Sequence, residues 1–163
     1  MRVLARQVTM LLVTVALGAV AGAQQVPPEW KAPPPTPEAI RPQEAAYKAD
    51  TVEFTLAPSE GMEYKYRLER GAAFVYSWTA SGPVHFEMHS VPDGAPSTFA
   101  ETFEKLDDRP AAHGSYTAPF DGIHGWYWQN RTGQPVTLKM TTAGFYSSSQ
   151  EFRRGQAPKT KAF

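Results

Sequence analysis

The sequence predicts an all-β fold, an antiparallel β-sandwich, jelly-roll-like, of seven or eight short strands. Three observations lead there. Beyond Thr51 the apolar residues recur with a period of two, as in half-buried strands. Glycine- and proline-rich turns break that alternation at short intervals. No stretch carries the periodicity of a helix longer than two or three turns.

Val52, Phe54 and Leu56 alternate with Glu53 and Thr55, and Pro58-Ser-Glu-Gly61 supplies a turn. Met62, Tyr64, Tyr66 and Leu68 then alternate with Glu63, Lys65, Arg67 and Glu69, one face inward and one outward. Gly71 ends that strand. The next pairs Ala73, Val75 and Ser77 against Phe74, Tyr76 and Trp78, before a predicted turn at Ser81-Gly82-Pro83. Val84, Phe86 and Met88 alternate with His85, Glu87 and His89 up to Pro92-Asp-Gly94. Polar residues from Ala95 to Ala112 predict a long loop, with an irregular strand or helical turn near Thr98–Lys105. Ser115–Phe120, Ile123–Arg131 and Val136–Thr142 complete the set.

The strongest architectural signal is Gly122-Ile-His-Gly-Trp-Tyr-Trp-Gln-Asn-Arg-Thr-Gly133. Strand side chains point to alternate faces, so Trp126 and Trp128 share one face and Tyr127 and Gln129 the other. Tyr64, Tyr66, Phe86, Trp126 and Trp128 are the expected core.

Ahead of this domain, residues 1–23 have the organisation of an export signal. Arg2 and Arg6 precede an apolar run, and Ala21-Gly22-Ala23 offers a cleavage site before Gln24. The apolar run is shorter than the ~20 residues of a spanning helix. The expected location is therefore periplasmic or extracellular, or membrane-anchored where that segment is retained. Residues 24–50, with seven prolines, predict a semi-rigid linker. The domain proper spans 51–146, and 147–163 is a polar, basic tail. Loss of Arg2 and Arg6 from sixteen Lys and Arg leaves fourteen, against sixteen Asp and Glu. That balance offers no electrostatic basis for nucleic-acid binding. The absence of cysteine excludes disulfides, thiolate catalysis and thiolate metal sites.

The run from Gly114 to Thr132, followed by Pro135-Val-Thr-Leu-Lys-Met140, resembles the late strands of GOLD-type β-sandwiches. Phe54-Thr-Leu-Ala-Pro58, Tyr66-Arg-Leu68 and Phe74-Val-Tyr-Ser-Trp78 are similar to their opening strands. The chain is closer still to a group of uncharacterised bacterial exported or membrane-anchored proteins with a His-Gly-Trp-aromatic-Trp-x-Asn-Arg-Thr signature. The resemblance covers roughly Thr51 to Tyr146. The cysteine pair of the eukaryotic cargo receptors is missing, and nothing apolar follows Phe152 until Phe163. The resemblance therefore implies a fold and interaction with protein or lipid, without a reaction.

Candidate chemistry is sparse. No nucleophile elbow, metalloprotease helix, phosphate loop or dinucleotide fingerprint occurs. The first expectation is a non-enzymatic binding module with a protein partner in the cell envelope, without a cofactor. A carbohydrate-binding module is the second, using Trp126, Trp128, Tyr127 and Gln129, of which Tyr127 and Gln129 are the better candidates if the indoles are core. The third is a copper or zinc site at His89 and His124. His85, Glu87 and His89 share a strand face, but i and i+4 on a strand lie ~13 Å apart. An overlooked active site would gather Asp107, Asp108 and His113. Asn130-Arg-Thr132 matches a glycosylation sequon, and Asn130 is expected instead to close a turn through its own backbone.

Overall fold

A computed structural model describes residues 40–163 apart from Ser97; the expected signal and most of the expected linker lie outside the described residues. Among the described residues, eight strands form one antiparallel sheet: β1 (Lys48–Leu56), β2 (Gly61–Leu68), β3 (Ala73–Pro92), β4 (Glu101–Thr117), β5 (Gly122–Gln129), β6 (Val136–Gly144), β7 (Ser148–Arg153) and β8 (Lys159–Ala162). Their order is β1-β6-β3-β5-β2-β7-β8, with β4 on the other edge of β3. The sheet curls into a half-barrel, a sandwich-like all-β architecture.

The predicted alternation sets the concave face. Tyr64, Tyr66, Phe86, Trp126 and Trp128 are all buried there, with Leu56, Phe74, Trp78, Leu138 and Met140. Such aromatics each remove ~150–250 Å² from water, which gives a chain without disulfides its core. Trp126 and Trp128 stack at 5.8 Å, and Trp78 stands edge-on to Trp128 at 6.0 Å. The three indole N–H groups are buried without a hydrogen-bond partner in the protein.

The other end of the core is phenolic. The buried Asp50 carboxylate accepts hydrogen bonds from Tyr64 and Tyr66, each 3.0 Å, and from Lys161 Nζ at 2.7 Å. Tyr66 and Tyr146 both meet the Thr142 hydroxyl. Burial pushes both Tyr64 and Tyr66 well above the ordinary phenol range, so they remain neutral donors.

Three segments differ from expectation. Ser81-Gly82-Pro83 does not turn the chain. It is an irregularity inside β3, where the register with β4 shifts between Thr79 and Val84. The first half of β3 pairs with β6 and the second half with β5, so one strand carries the sheet around its corner. A bulge admits Pro83, which has no N–H for a ladder. The expected loop Ala95–Ala112 contains most of β4, an edge strand exposed along nearly its whole length. Exposure on both sides removes the alternation that would mark it as a strand. Residues 147–163 are not a free tail: they form β7 and β8, pair with β2, and seat Phe163 4.9 Å from the Tyr146 ring. Backbone pairing needs no apolar side chains, which is why polar composition hid these strands. The domain also begins earlier than predicted, with β1 starting at Lys48.

Candidate polar face and cleft at Tyr127

The convex face of the β4-β3-β5-β2-β7 sheet gathers the outward positions of five strands. Register sets Lys105, Glu87, Tyr127, Glu63 and Phe152 in one row across it. The neighbouring rows are His85-Gln129-Gly61 and His89-Gly125-Lys65-Gln150. Paired residues in an antiparallel ladder project on the same side, so these side chains form one surface.

A continuous polar network occupies its β4 side. Lys105 Nζ lies 2.6 Å from Glu87, whose other neighbour is His85 Nε2 at 3.0 Å. His85 Nδ1 is 2.6 Å from Asp107, and Arg131 donates to Asp107 at 2.7 Å and to Gln129 Oε1 at 3.0 Å. Partial burial works to raise the Glu87 carboxyl, but hydrogen bonds and charges from Lys105 and His85 outweigh it and hold the group below its usual range. The His85 hydrogen bond, followed by the Arg131 charge, holds the exposed Asp107 carboxyl low as well.

On the β2 side lies Lys65, fully buried. Its Nζ donates to the His89 carbonyl at 3.0 Å and lies 3.5 Å from Glu63. Burial is the main cause that pulls this lysine down to about 8, against the raising influence of Glu63. Glu63 stays below the usual carboxylate range because His89 and Lys65 outweigh its own burial. Lys65 thus fixes the position of a carboxylate that still reaches the surface.

Tyr127 stands between Glu87 and Glu63. Its ring packs edge-on to His85 at 6.1 Å, and its hydroxyl end extends over Gly61. A β-carbon at position 61 would stand 2.8 and 2.9 Å from two ring atoms. A larger residue there would have to displace the Tyr127 ring, a role for Gly61 beyond the turn it was expected to make. Beside the ring opens a cleft of about 440 Å³, bordered by Glu63, Tyr127, Gln129, Phe152 and Arg154. The Arg131 bond uses Gln129 Oε1 and leaves the amide N–H₂ free to donate.

The site expectations sort by face. Tyr127 and Gln129 line the cleft together. Trp126 and Trp128 do not: both are fully buried, so an indole platform for sugar is corrected to core. The proposed His89–His124 metal pair does not form either. Ser90 is the cross-strand partner of His124, and His89 is one residue away on the opposite face. His124 shares the concave face with Trp126, receives the Tyr116 hydroxyl at 2.8 Å on Nδ1, and donates from Nε2 to the Phe120 carbonyl at 3.1 Å. Burial is the largest cause that lowers it to about 4. Among the described residues no group of three His, Asp or Glu side chains is arranged to hold a metal. Asp107 is engaged by His85 and Arg131, while His113 is exposed further along β4.

Gly61, Glu63, Phe152 and Arg154 were not singled out as site residues by sequence. The outward position of Glu63 in the β2 alternation was a usable signal. Phe152 and Arg154 join the cleft only through pairing of β7 with β2. Asn130 behaves as expected for a turn residue. Its Oδ1 accepts from Thr132 N and Oγ1, and its Nδ2 donates to the Leu56, Ala57 and Gln134 carbonyls. Fully buried and so engaged, it is no glycan acceptor in the folded domain. No family model matches the chain, and no curated protein matches it as a relative.

Proposed function

We propose that this chain is a non-enzymatic binding module of the cell envelope, and that the convex face around Tyr127 is its recognition surface. The carrying observation is the contrast in how side chains are used. Tyr127 and Gln129 keep hydrogen-bonding capacity beside an open cleft. Two of the four histidines are committed elsewhere: both nitrogens of His85 meet carboxylates, and both of His124 meet internal partners. A general base needs a nitrogen free to face substrate, which sets His85 and His124 aside from that role, and neither His89 nor His113 borders the cleft. The export-signal pattern and the resemblance to GOLD-type sandwiches support the envelope location and the binding role.

Affinity capture from an envelope fraction tests this. Immobilised protein is expected to retain material that the Tyr127→Ala variant does not, with both proteins and glycans scored. Identical retention by the variant, with the fold intact, would refute the assignment of the face.

A further inference from the structure

We propose that the Tyr127 cleft binds an oligosaccharide, with one sugar ring stacked against Tyr127 and its hydroxyls held by Glu63, Gln129 and Arg154. The inference rests on the preceding reading of this face and names its ligand class.

The chemistry of the cleft wall favours a polyol. Residues with four planar polar groups border it: the Glu63 carboxylate, the Gln129 amide and the guanidiniums of Arg153 and Arg154. Gln129 keeps its amide N–H₂ and Glu63 the oxygen not held by Lys65 and His89, so donor and acceptor capacity for sugar hydroxyls remains on both. Sugar hydroxyls both donate and accept, so they satisfy the free Gln129 amide donors and the Glu63 acceptors at once. Glu63 and Arg154 carry opposite charges, and Arg153, also in the lining, is already paired with Glu60 and Glu151, which favours a neutral ligand over a strongly charged one.

Apolar contact is supplied separately. Tyr127 and Phe152 flank Glu63 in the same row, two strand spacings apart, about 10 Å. An aromatic ring on either side of a polar floor matches a sugar, whose ring carries C–H faces and an equatorial rim of hydroxyls. The Tyr127 ring is held in place before any ligand arrives, by His85 at its edge and Gly61 beneath its hydroxyl end. Pre-organisation of that kind lowers the cost of binding. The volume, about 440 Å³, lies within the range of small-ligand sites.

A protein partner fits this spot less well. Protein interfaces bury roughly 800 Å² per side around an apolar or aromatic centre from which charge is depleted. Here a partly exposed carboxylate occupies the centre. Among the described residues the exposed large apolar ones, Ile40, Tyr47, Val75, Phe99, Phe103 and Leu106, lie on β3, on β4 and its approach, and before β1, none of them at the cleft.

The test uses the purified protein with cellohexaose, chitohexaose and maltohexaose, each titrated by calorimetry and followed by amide NMR shifts. At least one is expected to bind with a dissociation constant of about 1 mM or tighter. Tyr127→Ala and Glu63→Gln should each weaken it about tenfold or more, whereas Tyr127→Phe, which keeps the stacking face, should retain it within about threefold. Gly61→Ala leaves every contacting group present but displaces the Tyr127 hydroxyl end, and should also weaken binding. Phe103→Ala, on β4, should leave it unchanged. Thermal melts confirm that each variant folds. Binding by none of the hexaoses, or binding insensitive to Tyr127→Ala, overturns the inference. If the hexaoses fail while a protein is captured from the envelope fraction in a Tyr127-dependent manner, the sugar assignment falls and the binding face stands. If capture is also insensitive to Tyr127, both fall.

Discussion

The two faces of β5 differ in what happens to polar atoms. On the concave face Trp126 and Trp128 are enclosed, and even their indole N–H groups lack an acceptor. His124, on the same side, is neutral, buried and bonded at both nitrogens. On the convex face Tyr127 and Gln129 sit among charges arranged in pairs, with hydrogen-bonding capacity left over. Aromatic area on one side is spent on folding. On the other side a single aromatic ring is supported and left accessible.

Removing a ring from each face should therefore have unlike consequences. Trp126→Ala is expected to destabilise by ~3–5 kcal/mol, the range for emptying a buried indole site. Urea unfolding measures it, and a loss below ~1 kcal/mol would show that the concave face is not the core.

A slightly smaller effect belongs to pH. His124 is held near 4 when folded and titrates near 6.5 when unfolded. Between those values the unfolded chain binds more protons, so stability rises with pH across the window. The contribution is complete above about 6.5, erodes as pH falls toward 4, and amounts to about 3 kcal/mol at 1.36 kcal/mol per unit. His124→Gln should flatten this part of the stability profile. An unchanged slope in that variant would assign the acid sensitivity to another group.

Asn130→Ala ends five hydrogen bonds where β5 meets the β5–β6 turn and leaves three backbone carbonyls short of a donor. The expected cost is about 2 kcal/mol, since each internal hydrogen bond contributes roughly 1 kcal/mol and water can reach part of the turn. Arg131→Ala, in the adjacent exposed ion pair with Asp107, should cost less than about 0.5 kcal/mol. Comparable losses from both would remove the distinction drawn between a buried turn and a solvated network.

Which parts were legible in sequence follows from the same contrast. Alternation is visible only where one side of a strand is buried and the other solvated. β1, β2, β5 and β6 meet that condition, so their inward faces and the burial of Tyr64, Tyr66 and both β5 indoles could be read directly. β4 is exposed along nearly its whole length, and β7 and β8 are held by backbone pairing and a few anchors such as Lys161 and Phe163. No periodicity marks such strands. β3 concealed its continuity for another reason: Ser81-Gly82-Pro83 has turn composition but serves as a bulge at a corner. Of the cleft, Tyr127 and Gln129 were legible because two residues apart on a strand means one face. Arg154 and Phe152 were not, because their approach depends on a pairing ninety residues away in the chain.

The most direct measurement is a paired one on Tyr127→Ala, with unfolding free energy and ligand capture determined on the same preparation. The account predicts a stability change of about 1 kcal/mol or less together with loss of binding. A loss of stability above ~3 kcal/mol with binding retained would contradict it, placing Tyr127 in the core and the recognition surface elsewhere.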